Sequence, residues 1–348
     1  MLRYYTGQHQ YYCGVDLHAR TMYLCVVNQQ DEILLHREIP TDADRFLAQL
    51  APYRPDVVVC VECIFTWYWV ADLCAAEGIP FVLGHALEMK AISGSKTKND
   101  RIDSRKIAKL LRGGMIPMAY VYPRPMRSTR DLLRRRMRFV QHRAELLTHI
   151  QQTNAQYNLP KIGKTLKYKA NRPGVAERFD DASVRKTVEV DLALIAALET
   201  TIRQIEAHIL ATAKDHDPMA LQILRTIPGI GKILSLVLVY EIQTITRFPK
   251  VQQFASYARL IRPVKESAGK RTGRGNGKMG NAYLKWAFSE AIVLFLRETR
   301  EAQPYIRRVE RKYGKDKAKG ILAHRLGRSV YYMLKTRQVF DLTKFVNQ

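Results

Sequence analysis

Asp56-Val57-Val58-Val59-Cys60-Val61-Glu62 is a β-branched run that ends on an acid. Apolar residues without alternation describe a strand covered on both faces, the kind that lies inside a sheet with helices above and below. The acid at its end is harder to place. An ionised carboxylate taken out of water costs several kcal/mol unless it is paired or metal-bound. Glu62 is therefore either a cap at the strand's exposed edge or a member of a charged site.

Working outward, Tyr12-Cys13-Gly14-Val15-Asp16 is a second short apolar run that closes on an acid. Residues 21–27 and 32–39 are two more strand candidates, separated from their neighbours by Leu17-His18-Ala19-Arg20 and Asn28-Gln29-Gln30-Asp31. Such short connections favour an antiparallel meander of three strands. Phe46, Leu47 and Leu50 give residues 42–50 helical spacing, and a helix over 67–77 and a strand over 80–83 follow the central run. Three hairpin strands, then helix, strand, helix, strand, is the element order of a ribonuclease H-like α/β layer, although other α/β folds share the alternation.

Beyond that layer, residues 97–108 read T-K-N-D-R-I-D-S-R-K-I-A, with Asp100 and Asp103 among Lys96, Lys98, Arg101, Arg105 and Lys106. On a helix the i,i+3 spacing puts both carboxylates on one face near the positive N-terminal end. One reading is a turn whose acids complement the helix dipole. The other is half of a Mg²⁺ site, because Mg²⁺ takes hard oxygen ligands. In a ribonuclease H-like layer Asp16, Glu62, Asp100 and Asp103 converge on one point. Two Mg²⁺ ions held there could flank a scissile phosphate.

The charge indicates what such a site would act on. The 348 residues carry 57 Lys+Arg against 32 Asp+Glu, a formal +25, which points to a polyanion and most commonly to nucleic acid. No run approaches the roughly 18 apolar residues of a spanning helix, so no membrane partner is expected. The first ten residues show no apolar signal region. Cys13, Cys25, Cys60, Cys63 and Cys74 are odd in number, and Cys60-Val61-Glu62-Cys63 stands without a second pair. They read as free thiols of a cytoplasmic protein rather than a zinc or redox motif.

From Arg127 the pattern becomes helical. Leu133, Met137, Val140, Ala144 and Leu147, and later Ile195, Leu198, Ile202, Ile205 and Ile209, form narrow stripes of the coiled-coil kind, or of a helical hairpin packed on itself. Arg127, Arg130, Arg134, Arg135, Arg136, Arg138 and Arg143 make the first helix a candidate phosphate track, and residues 159–180 between the helices read as a basic loop. Ile227-Pro228-Gly229-Ile230-Gly231-Lys232 between two helical patterns is a helix-hairpin-helix arrangement, whose turn amides would face a DNA phosphate, or a plain helical connection. Residues 261–281 are rich in glycine and base, with Arg262, Lys265, Lys270, Arg271, Arg274 and Lys278, and read as an exposed loop ordered on nucleic acid. Ser267 and Thr272 are its hydroxyl side chains, and a serine among cations is a candidate phosphodiester nucleophile. Helices over 282–297, 304–313 and 318–334 close the chain.

Together these motifs resemble the insertion sequence one-ten transposases over nearly the whole chain. That family is also known as DEDD transposases or bridge-RNA-guided recombinases, with the Piv-type DNA invertases as relatives. The resemblance rests on G-V-D at Asp16, V-V-V-C-V-E at Glu62, K-N-D-R-I-D-S-R-K-I-A at Asp100 and Asp103, I-P-G-I-G at 227–231, and E-S-x-G followed by K-M-G-N, in that order. It implies a RuvC-like catalytic domain over residues 1–122 whose Asp16, Glu62, Asp100 and Asp103 bind Mg²⁺. A helical oligomerisation region would follow over 123–215, and a transposase domain over 216–348 with Ser267 as nucleophile. It further implies dimers or tetramers, donor and target DNA as substrates, and a guide (bridge) non-coding RNA that pairs with both. Two departures stand out. Ala268 separates Ser267 from Gly269 where the family often has serine followed directly by glycine, and Arg259-Leu260 stands where many members have Gly-Leu. The expected nucleic-acid contacts are Arg101, Arg105, Lys106, Arg134, Arg135, Arg138, Gly229, Gly231, Lys232, Lys265, Lys270, Arg271, Arg274 and Lys278. The competing expectations are a RuvC-like junction-resolving nuclease with water as nucleophile, a Piv-type invertase, and a non-catalytic DNA-binding protein.

Overall fold

In a computed structural model that describes residues 3–92, 99–213, 216–261, 264–267, 269–274 and 277–347, the chain divides into two units, Met1–Arg124 and Pro125–Gln348. The first is built on a five-stranded sheet of order β3-β2-β1-β4-β5. Strands β1 (Tyr11–Leu17), β2 (Thr21–Asn28) and β3 (Ile33–Pro40) form the expected antiparallel meander. Helix α1 (Ala43–Leu50) leads to β4 (Val57–Glu62), and α2 (Tyr68–Ala76) leads to β5 (Phe81–Gly84). Strand β4 runs parallel to both β1 and β5. Helices α3 (Ala86–Ile92) and α4 (Asp100–Arg112) complete the unit.

The central run does what its composition requires. Val57, Val59 and Val61 join Cys13, Val15 and Leu17 against Phe46, Leu50, Val70 and Cys74 on one face of the sheet. Val58 and Cys60 join Tyr12 against Ile107, Ala108 and Leu111 of α4 on the other. Full burial of a valine stabilises by about 2 kcal/mol, so this strand is a main anchor of the unit.

Helix α4 lies directly on β1. A Cβ at Gly14 would fall 2.3 Å from both Ala108 N and Ser104 O, so only glycine admits the helix this close. Asn99 caps the helix by accepting from Arg101 N at 3.0 Å. His36 Nε2 donates to Arg101 O at 2.8 Å, and Asp31 in the β2–β3 turn pairs with Lys109 (2.7 Å) and Arg112 (3.3 Å) in the last turn. Both ends of α4 are thereby fixed over the sheet.

The second unit is helical. Helices α5 (Arg124–Gln156) and α6 (Ala182–Thr212) run antiparallel, because the pairs Arg136–Glu206, Arg143–Glu199 and His149–Asp191 step in opposite directions along them. Residues 159–180 are more than the basic loop expected between these helices. Leu166, Val175 and Phe179 are buried against Ile150, Val188 and Ile195, and buried Arg172 donates to Glu199 at 2.5 and 2.9 Å.

Helices α7 (Pro218–Arg225), α8 (Lys232–Ile242), α9 (Val251–Tyr257), α10 (Ala282–Glu298), α11 (Gln303–Tyr313), α12 (Lys315–Thr336) and α13 (Leu342–Asn347) form the remaining core, which includes Phe254, Phe288, Phe295, Leu326 and Tyr331. Between α9 and α10, strands β6 (Val264–Ser267) and β7 (Lys270–Arg274) pair as an antiparallel hairpin. The glycine-rich segment is therefore not the shapeless loop that its composition suggests.

Candidate active site

Strand register brings the first two acids together. Val15 pairs with Val61 on neighbouring parallel strands, so Asp16 and Glu62 are the next residue on each, at the same end of the sheet. Alternation assigns their direction. Cys13, Val15 and Leu17 face α1 and α2, so Gly14 and Asp16 face α4. By the same count Glu62 shares the α4 face with Val58 and Cys60. Asp100 and Asp103 lie in the first turn of that helix. The approach permitted by Gly14 thus sets the N-terminus of α4 beside the two strand ends.

Asp16 has only 14 % of its side chain exposed. Burial pushes its carboxyl up to about 6; His18 opposes this, while Asp100, Asp103 and Glu62 add to it. His18 Nε2 stands 3.5 Å from Asp16 Oδ1 and 3.4 Å from Asp100 Oδ2. Asp16, His18 and Asp100 each offer a ligand atom, all within 4.8 Å of one another, which suits one divalent cation. Asp103 pairs with Lys106 at 3.4 Å and, with Glu62, lies outside that triplet.

His18 is the member that sequence reasoning missed. It stands one residue beyond the end of β1, in the β1–β2 turn, where a lone histidine carries no periodic signal. A shallow hollow lined by His18, Ala19, Thr41, Thr66 and Trp69 opens beside it.

Ser267 belongs to the second unit, exposed beside the turn of the β6–β7 hairpin, where it pairs with Lys270. Gly269 takes φ +72, so the glycine displaced by Ala268 still supplies the left-handed turn residue. The neck of the hairpin is tied by Arg259. Its Nε donates to Met279 O (2.9 Å) and Gly280 O (3.0 Å), its guanidinium also reaches Lys278 O, and Asn281 N donates to Tyr257 O at 2.5 Å. Arg259 itself sits at φ +54, a conformation that glycine adopts freely and arginine only with strain, so the backbone here suits the Gly-Leu pair that Arg259-Leu260 replaces.

Asn281 caps α10 through Tyr283 N and Leu284 N and donates to Glu241 Oε2 at 2.7 Å. Glu241 also takes Arg130 at 3.0 Å and Arg134 at 2.6 and 2.9 Å. Burial pushes this carboxyl up, yet Arg134, Arg130 and Asn281 overcome it and hold Glu241 below the usual carboxylate value.

The expected nucleic-acid contacts divide accordingly. Arg134 is turned inward to Glu241 and stacks 4.1 Å over Tyr283, because a buried carboxylate demands a cation. Arg127 and Arg130 are buried and Arg136 pairs with Glu206, while Arg135 and Arg138 are exposed on α5. Arg101 and Arg105 are exposed on α4. At the α7–α8 turn Gly231 and Lys232 are exposed, but Gly229, at φ +83, meets α10: a Cβ there would stand 2.6 Å from Leu294 Cβ. Packing accounts for that glycine. Lys270 and Lys278 are exposed, and the side chains of Lys265, Arg271 and Arg274 lie outside the described residues, as do Lys96 and Lys98.

None of the five cysteines forms a disulfide; Cys13, Cys25, Cys60 and Cys74 are buried and Cys63 is exposed. Burial raises all four buried thiols, Cys74 to about 12, so none is a nucleophile at neutral pH. No helix among the described residues is long and apolar enough to cross a membrane.

Clustered carboxylates on an α/β layer, joined to a basic helical unit, fit the class of enzymes that process nucleic-acid phosphodiesters. Sequence comparison narrows the class. Residues 13–158 match the DEDD transposase profile of the IS110 group, and residues 221–307 match the profile described as "Transposase IS116/IS110/IS902 family". The chain is 21% identical over 332 residues to the transposase for insertion sequence element IS1111A of Coxiella burnetii, covering 93% of this chain and 89% of that one. It is 26% identical over 248 residues to "Putative transposase y4qE" of Sinorhizobium fredii, covering 69% of this chain and 59% of that one. The chain belongs to the IS110 family of transposases and is a DNA-processing enzyme.

Proposed function

We propose that this transposase is a Mg²⁺-dependent, RNA-guided DNA recombinase in which Ser267 attacks the DNA and Asp16, Glu62, Asp100 and Asp103 form the metal centre. The observation that carries the reading is Asp16. A mostly buried carboxylate facing three further acids, with its pKa pushed up to about 6, is short of positive charge. A divalent cation bound there would supply that charge and stabilise the attacking and leaving oxygens of a phosphodiester.

The ribonuclease H-like character of the first unit is supported by its strand order. In the chemical step the Ser267 Oγ–P bond forms as the bond from phosphorus to a deoxyribose oxygen breaks. That oxygen leaves as a hydroxyl, taking up a proton in place of the one the serine loses. Exposure of Ser267 beside Lys270 favours the role, since the cation lies next to the incoming phosphate. We further propose cytoplasmic action on donor and target DNA, a guide RNA that pairs with both, and domains over 1–122, 123–215 and 216–348. The antiparallel α5–α6 pair would supply the dimer or tetramer contact, and the exposed Gly231 and Lys232 of a helix-hairpin-helix turn would contact phosphate.

The test mixes purified protein with guide RNA, Mg²⁺ and paired DNA sites. Wild type should give a covalent protein–DNA adduct on denaturing gels, and both Ser267→Ala and Asp16→Ala should give none. Cleavage without an adduct, unimpaired in Ser267→Ala, would replace the serine by water and make the enzyme a junction-type nuclease.

A further inference from the structure

We propose that His18 donates its Nε2 to the cation of the acid cluster, and that this nitrogen tilts the site from Mg²⁺ towards first-row transition ions. The inference rests on the metal-centre reading above and adds to it a ligand outside the four acids.

The distances carry it. His18 Nε2 is 3.5 Å from Asp16 Oδ1 and 3.4 Å from Asp100 Oδ2. Both separations exceed the roughly 2.7–3.2 Å of an N–H···O bond, so the imidazole is not seated on either carboxylate. They are also close to the spacing of two ligands on one shared ion. Two ligands at right angles on an ion with bonds of about 2.1 Å stand about 3.0 Å apart, so each gap needs to close by only a few tenths of an ångström. The three donors come from separate elements: Asp16 from β1, His18 from the β1–β2 turn and Asp100 from the first turn of α4. His18 is half exposed, which leaves a bound ion open to the solvent side and to a phosphate.

The choice of ion follows from donor chemistry. Mg²⁺ holds oxygen ligands and water and gains little from imidazole, whereas first-row transition ions accept imidazole readily. A site of acids alone has a weaker bias of this kind. With His18 in the set, Mn²⁺ should bind more tightly than Mg²⁺.

The experiment uses the full chain with Mn²⁺ as the probe. Pulsed electron paramagnetic resonance of wild type should show ¹⁴N coupling to Mn²⁺, and His18→Gln should abolish it. By calorimetry His18→Gln should weaken Mn²⁺ on the order of 10-fold or more and Mg²⁺ far less. His18→Asp, which restores a charged oxygen donor, should recover Mg²⁺ affinity without the nitrogen signal. Circular dichroism checks that both variants stay folded. If Mn²⁺ affinity depends on Asp16, as Asp16→Asn reports, yet there is no ¹⁴N coupling and His18→Gln binds like wild type, the histidine assignment is overturned while the metal centre stands. If wild type binds Mn²⁺ no better than Asp16→Asn, both are overturned.

Discussion

Asp16 and Glu241 are both carboxylates removed from water, and the protein treats them in opposite ways. Around Glu241 it places Arg130, Arg134 and Asn281, and the carboxyl is held below its usual pKa. Around Asp16 it places three more acids and His18, and the carboxyl is pushed up to about 6. The first is a closed network of the protein's own groups, tying α5, α8 and the cap of α10 together. The second is a cluster of acids with His18 beside it, where the proposed cation would supply the missing positive charge. Burial alone therefore does not separate structural acids from functional ones; the sign of what surrounds them does.

The largest effect should come from the closed network. Glu241→Ala leaves buried Arg130 and half-buried Arg134 without their carboxylate and should cost about 3–5 kcal/mol, read as a lower unfolding temperature in calorimetry. Gly14→Ala comes next, because its methyl would drive α4 off β1. We expect a loss of about 1–3 kcal/mol with divalent-ion affinity weakened as Asp100 moves, checked by thermal melting and calorimetric titration.

Asp16→Asn should do the reverse of Glu241→Ala. With its folded value raised from 3.8 to about 6, Asp16 binds more protons folded than unfolded across that interval. Its contribution is therefore fully present below pH 3.8 and lost as pH rises through 6. In chelator at pH 7.5, Asp16→Asn should melt a few degrees above wild type, and the gap should close on acidification towards pH 4.

The smallest effect belongs to Arg259. Arg259→Gly keeps the backbone at ease and loses the clasp, whereas Arg259→Ala loses the clasp and keeps the strain, so alanine should be less stable by about 1 kcal/mol. Both should speed hydrogen exchange in residues 264–274, which a merely local role for Arg259 would not.

Much of the first unit was legible in the sequence. The nearly continuous β-branched run Val57–Val61 read as a strand covered on both faces, and acids at the ends of two such runs meet when the strands are parallel neighbours. Gly14 reads as an ordinary strand glycine until α4 is seen lying on it. His18 escaped because a single histidine in a turn carries no periodicity. The ion pairs of the α5 arginines were hidden for a related reason. Spacing shows which residues share a face, but not that Glu241, 107 residues from Arg134, would claim two of them. The hairpin around Ser267 was hidden because glycine and lysine have weak strand propensity, and pairing across a turn overrides it.

The most direct test of the open acid site is thermal melting at pH 7.5 in chelator and in millimolar Mn²⁺, for wild type and Asp16→Asn. The account predicts that the ion raises the wild-type melting temperature by several degrees and leaves Asp16→Asn unchanged, because the carboxylate that repels its neighbours without the ion is the one that holds it. Equal shifts in both proteins, or none in either, would contradict the claim that Asp16 is held for a cation.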